Sequence, residues 1–404
     1  MYTFSSKHHN NLLIGAAVLL LLALLLVACS SVGSGSNGSS TPTVGNTSTT
    51  PVASQSPGVK LGVQTCPAAV KDPSHWTSII NPGTGAKVES VSCANLIGNP
   101  SLQALVTVRS EGSAGILHVY VYNNITSVSP TQIFKLQYLD SGDARVSGYN
   151  TIITGEIDTS SSINIHAKGD ASLVQDLFRE FKWSDGAGTF VAVTFPGIFP
   201  DLTRYQAETA QAQVNQGHQP WRLSAIMTSQ TLAAGLLKWN PDTPATIVSG
   251  GGNHDTDAVV TVKSTNPGSG SITVTLSRLE GNSNGGIWEA TSVTSNGMSI
   301  TSPMNRDRLT SPITVTGTGN AFEGKIGTVK VLDHLYTDIG HTGAIGASGN
   351  GNTTFSTTVT YTSSATSGTI SKSPTEEGVV ALYAYSNADG SIRGAVMVKA
   401  LLNA

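Results

Sequence analysis

Near the C-terminus, residues 311–317 read Ser-Pro-Ile-Thr-Val-Thr-Gly and residues 329–333 read Val-Lys-Val-Leu-Asp. Residues 382–385 read Leu-Tyr-Ala-Tyr, and Asp389-Gly390 separates them from the apolar residues 395–398. Apolar and polar side chains alternate in these runs, as they do in strands with one buried face. Asp-Gly between two such runs predicts a β-hairpin. The region therefore predicts about seven short strands and an antiparallel β-sandwich.

Three further motifs follow in a fixed order between these runs: Ala-Phe-Glu-Gly at 321–324, Phe-Ser-Thr-Thr-Val at 355–359 and Gly-Thr at 368–369. Over residues 300–402 this order resembles the immunoglobulin-like domain of bacterial spore germination proteins, often called Gmad2. The resemblance implies an immunoglobulin-like β-sandwich for residues 299–404. The companion domain that often precedes it in germination proteins is not recognisable in this sequence, so the resemblance implies a fold and not a role in germination.

The composition of the whole chain excludes several classes of protein. With 404 residues, two to three domains are expected at about 150 residues each. Charged residues make up 12% of the chain, about half of the usual quarter, and 22 basic against 25 acidic side chains give a net charge of −3. Nucleic-acid binding normally needs a clustered basic patch, so we expect no nucleic-acid partner. The many glycines, 43 in all, favour turns and short strands over charged amphipathic helices.

The N-terminus predicts export and lipidation. Residues 12–27 form an uncharged apolar run that is shorter than the roughly 20 residues of a membrane-spanning helix, as in a signal peptide. The run ends in Leu26-Val27-Ala28-Cys29, which resembles the bacterial lipobox. The resemblance implies that Leu26, Val27 and Ala28 are recognised by the signal peptidase and that Cys29 carries diacylglycerol and fatty acyl chains. We therefore expect a protein anchored to the cell membrane on its extracytoplasmic side, with an uncleaved short anchor as the alternative.

The remaining cysteines fit an exported protein. Once Cys29 is assigned to lipid, Cys66 and Cys93 form an even pair in an oxidising compartment. We predict a disulfide between them; the alternative is two unrelated buried thiols. Residues 29–57, rich in Ser, Gly and Thr and without charge, predict a flexible tether with a reach on the order of 30 Å.

Residues 58–199 predict an antiparallel β-rich module that contains the disulfide. Period-two patterning predicts strands, and one apolar segment predicts a short helix at 171–181. The predicted strands cover residues 105–108, 116–122, 133–136, 152–157, 163–165 and 190–193.

Residues 200–298 predict a small α+β module. Asp201 is the expected N-cap of one helix that ends at Gly217, and Ser224 is the expected N-cap of a second that ends before Asn240. The overall fold class is therefore mainly β with some α+β. The strands predicted here cover residues 246–248, 258–263, 271–276 and 286–294.

Several short motifs suggest chemistry, and each has a simpler interpretation. Residues 319–325 fit the spacing GxxxxGK, but Ile326 replaces the Ser or Thr that would hold magnesium, and the next residues predict a strand. Residues 253–257 contain calcium-type oxygen ligands without the EF-hand spacing, which favours a solvated hairpin loop. Residues 346–350 lack the final Gly of a nucleophile elbow.

Two other groups of residues suggest a metal site and a carbohydrate site. The set Asp333, His334, Asp338 and His341 offers zinc-type ligands, but we expect these residues to be polar groups in a surface loop. The pairs His75-Trp76 and His218 to Trp221 place imidazole near indole, which suits a sugar platform, although such Trp residues more often anchor a core. We expect no catalytic residue, no metal and no cofactor apart from the lipid on Cys29.

These observations favour a lipid-anchored, non-enzymatic binding or scaffolding module of the cell envelope. Its partner would be an envelope protein or glycan, and the sequence identifies neither. Two alternatives stay open: a secreted hydrolase that acts on envelope material, and the solute receptor of a transporter, which would need two lobes of repeated βαβ units.

Overall fold

The computed structural model describes residues 58–112, 115–265, 270–281, 285–365 and 367–404, which lie in one compact unit. The predicted signal peptide with Leu26, Val27 and Ala28, the lipid-bearing Cys29 and the tether up to residue 57 lie outside the described residues. Among the described residues, none of the helices has the length and apolar character that a membrane span requires.

The first layer is a four-stranded antiparallel sheet with two short helices packed beside it. Asp72 starts the longer helix, because its carboxylate accepts a hydrogen bond of 2.9 Å from Ser74 N. Trp76 of this helix is fully buried in an apolar core. The predicted disulfide is present: Cys66, which precedes the helices, is bonded to Cys93 in the first strand. In chain order the elements are α1 (Ala68–Lys71), α2 (Pro73–Ile80), β1 (Ala86–Ala94), β2 (Gln103–Ser110), β3 (Leu117–Asn123) and β4 (Thr131–Leu139).

A second four-stranded antiparallel sheet packs on the first. Leu105, Leu117 and Val121 of the first sheet share one apolar core with Ile152 and Phe181 of the second. This arrangement confirms the antiparallel, β-rich fold that the alternating pattern predicts. The strands, which pair in chain order, are β5 (Asp143–Val146), β6 (Ile152–Glu156), β7 (Leu177–Ser184) and β8 (Thr189–Val193).

The prediction of a strand at residues 163–165 is wrong. These residues form successive turns between β6 and β7. The Asn164 side chain holds the turns together, since its amide donates to Asp158 O at 3.0 Å and to Val174 O at 2.9 Å. Local side-chain hydrogen bonds therefore replace the ladder that the Ile-Asn-Ile pattern suggests.

The helix predicted at residues 171–181 is also wrong. A single 3₁₀ turn covers Asp170–Ser172, and the chain then enters β7. Phe181 is paired with Ile152 of β6 on one side and with Ala192 of β8 on the other. Sheet pairing along both edges thus overrides the helix-like spacing of the apolar residues.

The first long helix, α3 (Arg204–Asn215), begins two residues later than predicted. Thr203 is the N-cap, and it forms a reciprocal capping box with Gln206. The predicted cap, Asp201, instead forms an ion pair of 2.6 Å with Arg222. The carboxylate is therefore used in tertiary packing and not at the helix end.

The second long helix, α4 (Ala225–Leu237), begins as predicted. Ser224 Oγ accepts a hydrogen bond from Met227 N, and a 3₁₀ turn, Pro220–Leu223, precedes this cap. Lys238 ends the helix in the left-handed conformation with a φ of 59°.

The central element of the structure is a long sheet to which two sequence regions contribute. Four strands from the predicted α+β region form one end, and the hairpin predicted at Asp389-Gly390 lies in the middle. The bounds are β9 (Ala245–Gly250), β10 (Asp257–Lys263), β11 (Ser271–Ser277), β12 (Glu289–Thr294), β13 (Ser299–Ser302), β14 (Asp307–Thr310), β15 (Ile313–Ala321), β16 (Lys325–Leu332), β17 (Asp338–His341), β18 (Ile345–Gly346), β19 (Gly351–Val359), β20 (Thr375–Tyr385) and β21 (Ile392–Asn403). Along the sheet the order is β17-β16-β20-β21-β12-β11-β10-β9, with β14 paired to β21 and β18 to β16.

A three-stranded sheet, β13-β15-β19, packs on the long sheet to give the predicted C-terminal sandwich. Val315 and Phe355 from the small sheet share a core with Val329 and Leu382 from the long one. The other face of β20 is buried too, because α4 and its flanking residues pack there in a second core. Strand β20 is consequently buried on both faces.

The regions 200–298 and 299–404 are connected by a short stretch of strand pairing. Strand β12 meets β21 at the pair Val293 and Met397, and both residues belong to the same apolar core. The sequence-based division at residues 298 and 299 therefore falls between strands that share one sheet.

Candidate functional site

The structure places the short motifs of the sequence mainly in turns. Residues 319–325 run from the end of β15 through a turn at 322–324 to the first residue of β16, so a strand and not a helix follows the glycines. Residues 253–256 lie in the exposed loop of the β9–β10 hairpin and Asp257 begins β10; in the loop, the Asp255 carboxylate accepts a hydrogen bond of 2.8 Å from Gly252 N. Of residues 346–350, Gly346 ends β18 and residues 347–350 connect it to β19. Among the described residues, no group of three or more His, Cys, Asp or Glu side chains is arranged to hold a metal ion.

The two indole and imidazole pairs lie apart. Trp76 is a core residue, while the partly buried Trp221 has the Arg222 guanidinium 5.1 Å from its ring centroid. His218 is exposed. We therefore place no sugar platform at either pair.

The expectation for Asp333 and His334 is wrong. Both were predicted to be exposed loop residues, and each is only 3% exposed. Asp338 and His341 do lie at the surface, on β17, with His341 Nδ1 3.2 Å from Asp338 Oδ1. The four residues are thus divided between the interior and the surface.

His334 lies between two buried carboxylates. Its Nδ1 contacts Glu376 Oε2, and its Nε2 lies 3.7 Å from Asp176 Oδ2. Burial opposes the positive charge, but the hydrogen bonds and charges of Asp176 and Glu376 outweigh it and raise the pKa of His334 to about 10. Burial likewise opposes the charge of Glu376, yet its contacts with His334 hold the pKa of this carboxyl below its usual value. The cluster is an internal ion pair without access to substrate.

Further buried ion pairs lie where the N-terminal sandwich meets the C-terminal one, and hydrogen bonds from their members cross between the two. Arg179 of β7 pairs with Glu156 of β6 and also donates to Thr375 O at 2.7 Å, at the start of β20. Lys399 of β21 pairs with Glu377 at 2.9 Å, and both are buried. Buried ion pairs are poor sources of net stability but costly to break, so they fix how the strands meet.

A cleft of about 620 Å³ opens on the long sheet beside the end of α4. We call it the tyrosine cleft. Its size falls in the range of about 300–1,000 Å³ that is typical of small-molecule sites. The lining residues are Phe199, Gly235, Leu236, Leu237, Lys238, Lys330, Leu332, Leu335, Tyr336, Asp338, Tyr383, Tyr385, Gly390, Ser391 and Ile392.

The sheet side of the tyrosine cleft carries a strip of four polar groups. Lys330 Nζ on β16 lies 2.9 Å from Asp338 Oδ2 on β17. Tyr383 and Tyr385 lie two residues apart on β20, so their side chains project from the same face. Tyr383 is 3% exposed, and among the described residues neither tyrosine hydroxyl has a hydrogen-bond partner. The strip therefore combines an internally neutralised ion pair with two free phenol groups.

These four groups have fixed protonation states near neutral pH. Burial, together with the nearby Tyr385 and Asp338, raises the pKa of Tyr383 well above its usual value. Burial also raises the pKa of Tyr385. The hydrogen bond to Asp338 raises the pKa of Lys330; for Asp338, burial opposes ionisation but the contact with Lys330 lowers the pKa below its usual value. Neutral phenols therefore stand beside one cation and one anion.

The opposite side of the cleft is held by contacts of its own. The Tyr336 hydroxyl donates to Ile198 O at 2.8 Å, and its ring centroid lies 6.1 Å from that of Phe199. Trp239, just after α4, donates from its indole N–H to Ile392 O at 2.6 Å. The end of α4 is thereby tied to β21, and contacts within the chain hold this side of the cleft in place.

The sequence alone does not indicate this site. Alternation within Leu-Tyr-Ala-Tyr at 382–385 already implies that Tyr383 and Tyr385 share a face. Pairing of β16 with β17 brings Lys330 beside Asp338, although Asp338 was considered only as a metal ligand. Helix α4, which forms the other side of the cleft, lies about 150 residues before Tyr383 in the chain. No local sequence pattern indicates that the two pack together.

The comparison with protein families agrees with the C-terminal fold. Residues 298–391 match the family model of the immunoglobulin-like domain of bacterial spore germination, Gmad2. The polar strip of the tyrosine cleft lies within the matched residues, while α4 lies outside them. No curated protein matches the chain.

Proposed function

We propose that this protein is a lipid-anchored binding module of the cell envelope, without catalytic activity, and that the tyrosine cleft is its ligand site. The observation that carries the proposal is the Tyr383 hydroxyl, which belongs to a buried side chain, lacks a partner among the described residues and lines the cleft. The hydroxyl oxygen is not among the solvent-shielded, unpartnered polar atoms of the described residues, so it is accessible from the cleft. A ligand atom in the cleft would supply that missing hydrogen bond.

The envelope location rests on the sequence. An apolar run followed by Leu26-Val27-Ala28-Cys29 is typical of lipoprotein export, and two or three acyl chains give a stable anchor. The disulfide between Cys66 and Cys93 fits an oxidising compartment. A tether over residues 29–57 would let the folded part reach envelope material near the membrane.

The chemistry of the cleft favours binding over catalysis. A general acid or base works best when its pKa lies near the working pH. In the tyrosine cleft the phenol pKa values are raised, the pKa of Lys330 is raised and that of Asp338 is lowered, so each group keeps one protonation state at neutral pH. These directions support a site that binds its ligand unchanged.

The strand pairing also supports a binding module over the solute-receptor alternative. A receptor of that type is built from parallel βαβ units. In the described part of the chain, β14 with β21 is a parallel pair and the other ladders are antiparallel. The long sheet instead extends an immunoglobulin-like sandwich.

The proposal is tested by cosedimentation of the full chain, in lipid nanodiscs, with isolated cell envelopes. The double variant Tyr383→Phe/Tyr385→Phe removes only the two hydroxyls, and Tyr138→Phe, on an exposed tyrosine of β4, is the matched control. We expect the double variant to bind several-fold more weakly and the control to bind as the unaltered chain does. Equal binding by all three chains, or none by the unaltered chain, would overturn the proposal.

A further inference from the structure

We infer that the tyrosine cleft takes a neutral saccharide. The inference rests on the proposed function, because it names the class of ligand for the same cleft. It is carried by the juxtaposition of the polar strip, formed by Lys330, Asp338, Tyr383 and Tyr385, with the apolar residues that line the rest of the cleft.

The charges of the strip select a neutral ligand. Lys330 and Asp338 neutralise each other across 2.9 Å, and both tyrosines are uncharged. A carboxylate or phosphate would have to compete with Asp338 for Lys330, and an ammonium group would have to compete with Lys330 for Asp338. The one further cation in the lining, Lys238, is exposed and donates to Gly235 O at 2.7 Å. A neutral ligand meets the strip without separating the ion pair.

The hydrogen-bonding character of the strip selects a polyhydroxylated ligand. Each phenol both donates and accepts, the Lys330 ammonium has three donors of which one meets Asp338, and the carboxylate only accepts. A sugar hydroxyl donates and accepts as well, so adjacent hydroxyls on one ring match a strip of mixed donors and acceptors. An acyl chain would fill the volume but leave these groups unpartnered, which carries a desolvation cost.

The rest of the lining suits the carbon face of a sugar ring. Leu236 and Leu237 come from the last turn of α4, while Phe199 precedes α3 and Tyr336 lies between β16 and β17. Such side chains supply apolar contact area, which is typical of the lining of small-molecule sites. A ring held between them and the strip would have its C–H face on the apolar side and its hydroxyls on the polar side.

The test is isothermal titration calorimetry of the full chain in lipid nanodiscs. The neutral probes are tri-N-acetylchitotriose and maltotriose, which distinguish amino-sugar from hexose sources. The charged probes are trigalacturonate and deacetylated chitotriose, and palmitate represents an acyl ligand. We expect at least one neutral trisaccharide to bind. Its affinity should fall about two- to tenfold in Tyr385→Phe, the effect of one neutral hydrogen bond, and stay unchanged in Tyr138→Phe.

The outcomes separate this inference from the proposed function. The saccharide assignment is overturned if a charged probe or palmitate binds more tightly than the neutral trisaccharides. It is also overturned if Tyr385→Phe leaves the affinity for the neutral sugar unchanged. If cell envelopes still bind through the tyrosines while neither neutral trisaccharide binds, the ligand class is wrong and the binding module stands. If neither envelopes nor sugars depend on the two tyrosines, both proposals are wrong.

Discussion

The Nε atom of Arg179 donates a hydrogen bond of 2.7 Å to the carbonyl oxygen of Thr375, which lies 196 residues further along the chain. The same guanidinium is paired with Glu156 in the interior and donates to Ser373 O at 3.1 Å. One buried cation therefore connects the N-terminal sandwich to the strand that carries Tyr383 and Tyr385.

Breaking this ion pair is expected to destabilise the protein strongly. Glu156→Gln leaves Arg179 buried without a counter-charge, and an arginine cannot lose its proton, so we expect a loss of about 3–5 kcal/mol in the free energy of unfolding. The matched control, Glu89→Gln, breaks the more exposed pair with Arg109 and should cost less than about 1 kcal/mol. Urea titrations of both variants give the comparison, and similar losses for the two would contradict the structural role of Arg179.

Stability is expected to fall as the pH rises from mildly acidic to alkaline. Burial, only partly offset by Arg204, raises the pKa of Glu280 to about 8, and burial, partly offset by Lys399, raises that of Glu377 to about 7. A carboxyl whose folded pKa is raised contributes stability that is present below its unfolded pKa of about 4.5 and lost as the pH rises through the folded value. His334, with its pKa raised to about 10, acts in the same direction from about pH 6.5 upwards.

Thermal melts at pH 5.5 and pH 8.5 check this dependence. We expect the melting temperature to be several degrees lower at pH 8.5, and Glu280→Gln to reduce the difference because glutamine stays neutral at both pH values. A higher melting temperature at pH 8.5 than at pH 5.5 would contradict the raised carboxyl pKa values. An unchanged difference in Glu280→Gln would contradict the role of Glu280.

The disulfide is expected to stabilise the first sheet. Cys66 and Cys93 are 27 residues apart, and closing a loop of that size is worth about 3–4 kcal/mol in the chain-entropy model. The double variant Cys66→Ala/Cys93→Ala should lower the free energy of unfolding by about that amount, measured against Cys29→Ala, which leaves the bridge intact. Equal stability of the two variants would show that the bridge adds nothing.

Cys29 is expected to determine membrane association. Cys29→Ser removes the thiol that would carry the lipid, so we expect the variant to leave the membrane fraction. Mass spectrometry of the unaltered chain should show an added lipid on a mature protein that begins at residue 29. An unmodified Cys29 in membrane-bound protein would contradict lipidation.

Local patterns predicted those parts of the fold that depend on neighbouring residues. Alternation located β2, β3 and β15, Asp389-Gly390 located the β20–β21 hairpin, and Ser224 located the start of α4. The prediction of a helix at residues 171–181 is wrong because the apolar spacing there is compatible with a helix. Only the pairing of β7 with β6 and β8 makes the segment a strand.

The burial of charge and the site itself depend on distant contacts. Nothing near His334 in the sequence indicates that Asp176, 158 positions earlier, and Glu376 will enclose it, so it was predicted to be exposed. The shared face of Tyr383 and Tyr385 follows from alternation, but the cleft exists only because α4 packs on the same sheet. Local sequence patterns do not indicate contacts between residues that lie so far apart in the chain.

We expect Tyr383 to serve a ligand and not the fold, and measuring the binding and the stability of Tyr383→Phe together distinguishes these two roles. Because the hydroxyl has no partner among the described residues, removing it should leave the free energy of unfolding unchanged or slightly higher. Binding to isolated envelopes should nevertheless weaken about two- to tenfold. Unchanged binding, or a loss of binding that merely follows a loss of stability, would contradict the claim.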